Sequence, residues 1–223
     1  MIIVHHLEHS RSQRILWLLE ELELPYEIEH YKRDPRTSLA PESLRRVHRL
    51  GKAPVISDGA VVMAESGAIL EYLVERYGDG RLKPATDTPQ WLDYIYWMHF
   101  AEGSLMPLLV MKLVFGRVAT SPMPFFAKPI ARKISGKMND QFLQPRIQDQ
   151  LALVEEHLSR HPWFAGEQMS AADVQMSFPL QAAASRANLD NLPHIRDFIQ
   201  KVEALPAYQR AIERGGPLQL LGG

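Results

Sequence analysis

"LGKAPVISDGAVVMAESGAILEYLVERY", residues 50–77, reads as a β-hairpin followed at once by a helix. Val55-Ile56-Ser57 and Ala60 to Met63 flank Asp58-Gly59, a pair that tolerates the positive φ angles of a two-residue hairpin turn. From Glu65 to Tyr77 the period changes, and Ile69, Leu70, Leu73 and Tyr77 fall on one helical face. Toward the N terminus, Tyr26 to Tyr31 alternates as a strand and Glu42 to Leu50 reads as a short helix. Ile2 to Leu7 is a β-branched strand, after which Ile15, Leu18, Leu19 and Leu22 recur at helical spacing until Pro25 closes the helix. The order is βαβαββα, complete within about 78 residues.

Past Gly78-Asp79-Gly80 the texture changes. Residues 81–90 are rich in turn formers and lack periodicity, which separates an α/β unit over 1–80 from an all-helical unit over 91–223. Trp91 to about Phe115 is one long aromatic helix, Ile147, Leu151, Val154 and Leu158 mark another, and Ile195, Phe198, Ile199 and Val202 a third. Three prolines and several small residues break the pattern between 115 and 140. In "FAGEQMSAADVQM", Ser170 and Asp173 form a capping-box pattern with aspartate in place of the usual glutamate, and Met169 and Val174 stand where a hydrophobic staple belongs. That pattern gives Asp173 a folding role.

Composition narrows the function. With 25 basic and 26 acidic residues the chain has no general attraction to nucleic acid or anionic membrane. No run of residues approaches the ~18 apolar positions of a membrane span, and the start Met-Ile-Ile-Val carries no basic leader, so a soluble cytoplasmic protein is expected. Cysteine is absent, so any thiol in the chemistry comes with the substrate. His5, His6 and His9 are close in sequence, but neighbours on a strand face opposite ways, and no metal site is expected from them.

Four motifs in order, Ser10-Arg11-Ser12-Gln13-Arg14, "LGKAPVI" at 50–56, "ESGAILEYL" at 65–73 and the Gly166 to Asp173 segment, resemble the glutathione S-transferase family over nearly the whole chain. The resemblance implies a thioredoxin-like N-terminal domain, a helical-bundle C-terminal domain, a homodimer, and glutathione as co-substrate without a metal. It also implies a detoxification enzyme that joins the glutathione thiolate to hydrophobic electrophiles. A glutathione-dependent peroxidase or isomerase, or a non-catalytic interaction domain of the same fold, stays open as an alternative.

Glutathione carries two carboxylates, an ammonium and two amides, so its site needs anion donors, an acid and exposed backbone. Glu65-Ser66 opens a helix whose free N–H groups suit the γ-glutamyl carboxylate, while the Glu65 side chain suits the amino group. Lys52 offers a charge for the glycyl carboxylate, and the resemblance implies a cis Ala53–Pro54 bond turning the Ala53 backbone toward the peptide. Each has a plainer reading: Ser66 as a cap, Glu65 as a dipole complement, Lys52 as a solvated lysine. Arg49 stands where the family more often has proline.

The thiolate needs a donor, and no tyrosine lies before the first helix, so the site is of the serine type of theta-like members. Counting back four from Arg14, as the family's pattern implies, lands on Ser10. Ser12 is the runner-up, with an N-cap role as its plainer reading. His99, Phe100, Met106 and Phe115 are the candidates for an apolar electrophile pocket, a role taken from the resemblance.

Overall fold

The computed structural model describes residues 1–218. Its first half runs β1 (Ile2–Leu7), α1 (Gln13–Glu21), β2 (Tyr26–Tyr31), α2 (Glu42–Val47), β3 (Val55–Asp58), β4 (Val61–Ala64) and α3 (Ser66–Tyr77). The four strands lie in the order β2-β1-β3-β4, with β2 parallel to β1 and the hairpin β3-β4 antiparallel to it. A parallel pair needs a crossover, and α1 supplies it. Val4 and Ile56 of the sheet bury with Ile15, Leu18 and Leu19 of α1 and Ile69, Leu70 and Leu73 of α3. The hairpin helix is shorter at its start than the pattern suggests: Glu65 stands at the N-cap position of α3, outside the helix. The α2 helix also stops at Val47, because His48 is already extended at φ −141° and ψ 124° on the way to Pro54.

The helical half comprises α4 (Pro89–Phe100), α5 (Met106–Thr120), α6 (Lys128–Met138), α7 (Gln144–Leu158), α8 (Ala171–Ala184), α9 (Pro193–Glu203) and α10 (Pro206–Gly215). The α4 helix starts at Pro89, not Trp91, since proline's missing N–H costs nothing in a first turn. A π turn at Ala101–Leu105 joins it to α5, and the continuous helix runs on to Thr120. Contrary to the sequence expectation, this helix is long and apolar enough by length and composition to cross a bilayer. Here it packs in the helical half, with Tyr94, Trp97, Leu105 and Leu109 buried and Glu102 in ion pairs. The stretch 115–140, where prolines and small residues break the pattern, resolves into the end of α5, α6 and the start of a second π turn, Asn139–Leu143, that leads into α7. Pro129 and Pro145 both fall in first turns, where they are tolerated.

The α8 helix is buried from Ala171 to Ala183, and its capping box is present as read. Asp173 Oδ2 accepts from the Ser170 N–H at 2.8 Å and from its hydroxyl at 3.1 Å, while Oδ1 accepts from the Phe164 N–H at 2.8 Å. The connector between the halves is pinned. Ala171 N–H donates to the Leu82 carbonyl at 2.8 Å, and Lys83 pairs with Glu71 and Glu75 of α3. The α10 helix returns to the first half: Tyr208 meets Trp17 edge-on at 5.5 Å, and Arg210 and Arg214 both pair with Glu20.

Candidate active site

All five residues expected to hold glutathione, Lys52, Ala53, Pro54, Glu65 and Ser66, line one cavity of about 220 Å³, together with Arg11 and Glu102. The Ala53–Pro54 bond is cis. Glu65 sits at φ +71° and ψ 118°, a region that non-glycine residues rarely occupy and that tends to mark functional positions. Directly after it, the first N–H groups of α3 have no partner inside the helix and point a positive dipole end at the cavity.

Beneath this cavity lies a buried guanidinium. Arg14, only 2% exposed, donates to Ser66 Oγ at 2.8 Å, to the Gln175 carbonyl of α8 at 2.6 Å and to Glu102 Oε1 at 2.5 Å. Arg11 reaches the same carboxylate from the other side, with Nε at 2.9 and 3.1 Å from its two oxygens. Burial alone would raise the Glu102 carboxyl, but the charges of Arg14 and Arg11 outweigh it and hold the group below the usual carboxylate range. Burial lowers Arg14 to about 10, so it stays charged at neutral pH. With its acceptor role filled by Arg14, the Ser66 hydroxyl keeps its own proton for an anion in the cavity. One network thus ties α1, α3, the π turn and α8 together under the site.

The serines at the start of α1 differ sharply. Ser10 lines an adjoining cavity of about 550 Å³, whereas Ser12 is wholly buried and lines neither cavity. Ser12 does stand at the N-cap position, but its side chain caps nothing, contrary to the expectation. Its residue is already helical at φ −65° and ψ −19°, so the hydroxyl is aimed away from the N–H groups a cap would serve. It lies 2.7 Å from Ser10 Oγ and 2.9 Å from His6 Nδ1. Burial lowers His6 to about 4, so the imidazole is neutral at physiological pH and one ring nitrogen is an acceptor. His6, Ser12 and Ser10 form a chain leading from the sheet to the cavity wall.

The larger cavity meets the smaller along Arg11, Leu50 and Lys52-Ala53. Of the four residues expected to line an electrophile pocket, only Met106 lines it. Its apolar wall continues along α5 through Val110 and Leu113, at i+4 and i+7, with Phe178 of α8 opposite. Phe115, nine residues on from Met106, falls on the other side of α5 and packs partly buried against the main core. Phe100 is buried among Tyr96 and Trp97, and His99 is exposed. The wider i→i+5 turn between α4 and α5 breaks the α-helical spacing that would otherwise carry one face from Met106 back to His99.

His5 and His6 point to opposite sides of β1. His5 lies 3.0 Å from the Tyr31 hydroxyl and 2.9 Å from Ser57 Oγ, away from the Ser12 contact of His6. Sequence reasoning missed Glu102 and the buried role of Arg14. The available signal was a lone acid in the apolar run "MHFAEGSLMPLL", a position that requires a cationic partner.

A four-stranded mixed sheet with a cis-proline loop, a helix N terminus at a polar cavity and a helical second half define a two-part protein with a polar cleft on its α/β half. The chain belongs to the glutathione S-transferase family. Residues 10–76 match the family's N-terminal domain and residues 123–206 its C-terminal domain. It is 39% identical to glutathione S-transferase 3 of Schizosaccharomyces pombe, over 96% of this chain and 88% of that protein. With glutathione S-transferase 1 of Saccharomyces cerevisiae it shares 32% identity over 98% and 97% of the two chains. The crystal structure of a glutathione S-transferase from Actinobacillus pleuropneumoniae, 35% identical, superposes with a TM-score of 0.83 over 98% of this chain and 95% of the other.

Proposed function

We propose that this glutathione transferase binds glutathione in the 220 Å³ cavity and activates its thiol with Ser10 for attack on an electrophile in the adjoining cavity. The observation that carries this reading is the meeting of the two cavities at Arg11 and Lys52-Ala53, with Ser10, largely buried, on the wall of the larger one. The γ-glutamyl carboxylate sits on Ser66 and the α3 N–H groups, its ammonium on Glu65, the cysteinyl amide on the Ala53 backbone and the glycyl carboxylate on Lys52. This places the thiol toward the start of α1. A free thiol has a pKa of ~8.5, and lowering it by ~2 units takes ~2.7 kcal/mol of thiolate stabilisation, within reach of one hydroxyl donor assisted by a helix N terminus. Attack then forms a bond from sulfur to the electrophilic carbon as the leaving group departs with its electron pair.

Glu65→Ala or Ser66→Ala is expected to weaken glutathione binding by ~1–3 kcal/mol, the range for lost hydrogen bonds to charged groups, while the protein stays folded. Calorimetric titration measures it, and wild-type affinity in both variants would remove these residues from the site. A homodimer in the cytoplasm completes the proposal. The absence of cysteine suits a reducing compartment, and Val62, Leu92 and Tyr96 leave apolar surface exposed on β4 and α4. Light scattering at a mass near twice 25.4 kDa supports the dimer, and a strict monomer contradicts it.

A further inference from the structure

The even charge of the whole chain hides a local excess. Between Gly103 and Asn139 there is no acidic residue, while Lys112, Arg117, Lys128, Arg132, Lys133 and Lys137 all fall in that span. Lys112 is half-buried and donates to Gln144; the other five are exposed, and none of them enters an ion pair among the described residues. Asp140, the first acid after them, accepts from the Asn139 side chain. The same span leaves apolar side chains in water. Phe125 and Phe126, 85% and 66% exposed, stand at the turn between α5 and α6 and meet each other edge-on at 5.7 Å. After them Ile130, Lys133, Ile134 and Lys137 follow at i, i+3, i+4 and i+7, one exposed stripe of α6 that mixes isoleucine with lysine. On α5, Val110, Val114 and Val118 carry exposed apolar surface from the wall of the larger cavity toward the same tip, roughly 12 Å of helical rise.

We propose that the α5–α6 tip anchors this protein to the surface of an anionic lipid bilayer, with Phe125 and Phe126 entering the boundary between headgroups and acyl chains while Lys133, Lys137 and their basic neighbours meet the lipid phosphates and carboxylates. Exposed phenyl rings beside a basic stripe match what such a surface offers, an apolar layer beneath a negatively charged one. Charge also separates a lipid surface from a protein partner: the centre of a protein interface is depleted of lysine, whereas at a membrane the lysine stem lies on apolar surface and its ammonium reaches the headgroups. Neither signal is strong enough alone, and together they give reversible attachment. Docking also brings the cavity that Val110 lines close to the phase in which apolar electrophiles dissolve, a consequence that, unlike the docking, rests on the reading of that cavity as the electrophile site.

Co-sedimentation of the full chain with lipid vesicles tests the proposal. Phosphatidylcholine vesicles containing about 30% phosphatidylserine should bind it about tenfold or more tightly than phosphatidylcholine alone, and the preference should fade as salt rises. Lys133→Gln combined with Lys137→Gln should cut that binding about tenfold or more, at about fivefold per lysine, and Phe125→Ser combined with Phe126→Ser should cut it by a similar factor. All four side chains are exposed, so both double variants should keep the wild-type fold and turnover of a water-soluble substrate. Because the chain has no cysteine, a single environment-sensitive dye can be attached at Ser121→Cys beside the tip or at Glu27→Cys on β2. Anionic vesicles should shift the emission of the first to the blue and leave the second unchanged. Absence of binding to either vesicle, equal binding to both, full binding in either double variant, or a shift from the Glu27→Cys dye alone overturns the proposal. So does a light-scattering mass that falls in the phenylalanine variant, which would make the tip an interface between copies, or capture of the chain by an acidic polypeptide in preference to the vesicles.

Discussion

Arg14→Met is expected to lower folding stability by about 3–5 kcal/mol, the cost of breaking a buried ion pair from one side. The guanidinium is 2% exposed and serves three acceptors on three elements: Ser66 at the head of α3, Glu102 in the π turn and the Gln175 carbonyl inside α8. Methionine fills the volume but leaves Glu102 on Arg11 alone and two buried oxygens without a donor. Glutathione affinity should fall with it, because Ser66 loses the contact that orients its hydroxyl. Denaturant melts of Arg14→Met, Glu102→Gln and the double variant check the assignment. The double variant should be more stable than the two single losses added together, since one removes the charge that the other strands. Simple additivity would mean that the pair is not coupled.

Asp173→Ala is expected to cost a similar amount, about 3–5 kcal/mol, for a different reason. The carboxylate is fully buried and accepts from the Phe164 and Ser170 N–H groups and the Ser170 hydroxyl, so alanine strands three buried donors at once. Those donors fix the 164–170 loop against the start of α8, the helix that carries Gln175 and Phe178 into the site. Burial, acting against these hydrogen bonds, raises the Asp173 carboxyl to about 6. The folded state therefore holds this proton more tightly than the unfolded chain. Its contribution to stability is full below the ordinary aspartate pKa of ~3.9 and declines as pH rises to about 6. Melts across that window should show the slope in wild type and a flatter one in Asp173→Asn.

Much of this architecture was legible in the chain because the signals are local. Asp58-Gly59 announces a tight hairpin turn, though the ladder runs one residue further than the pattern suggests: Asp58 pairs with Val61 and the two turn residues are Gly59 and Ala60, while Ile69, Leu70 and Leu73 define a buried face by spacing alone and Ser170 with Asp173 writes a helix start in four residues. The glutathione residues came from motif order, and the cavity gathers all five. The rest depended on geometry that spacing does not carry. A π turn at 101–105 shifts the face of α4 relative to α5, so His99 and Phe100 fall away from a cavity that Met106 still lines. Leu39, Val110, Leu113 and Phe178 meet there from three distant segments. Ser12 sits where a cap belongs, yet the packing of β1 offers it His6 and Ser10 as nearer partners. Arg14 reads as an ordinary helix arginine until α8 and Glu102 close over it.

The role of Ser10 is the centre of the functional account, and the ultraviolet absorbance of bound glutathione thiolate, followed against pH, tests it directly. Ser10→Ala should raise the apparent pKa of the bound thiol by about one unit or more, a loss of ~1.4 kcal/mol or greater, and cut turnover at neutral pH about tenfold. Ser12→Ala removes a neighbour 2.7 Å from Ser10 without touching the cavity, so it should move the titration less and cost mainly ~1 kcal/mol or more of stability through the stranded His6 nitrogen. A titration displaced in Ser12→Ala but unchanged in Ser10→Ala would reverse the assignment, and wild-type curves in both would hand thiol activation to Arg11 or the backbone N–H groups.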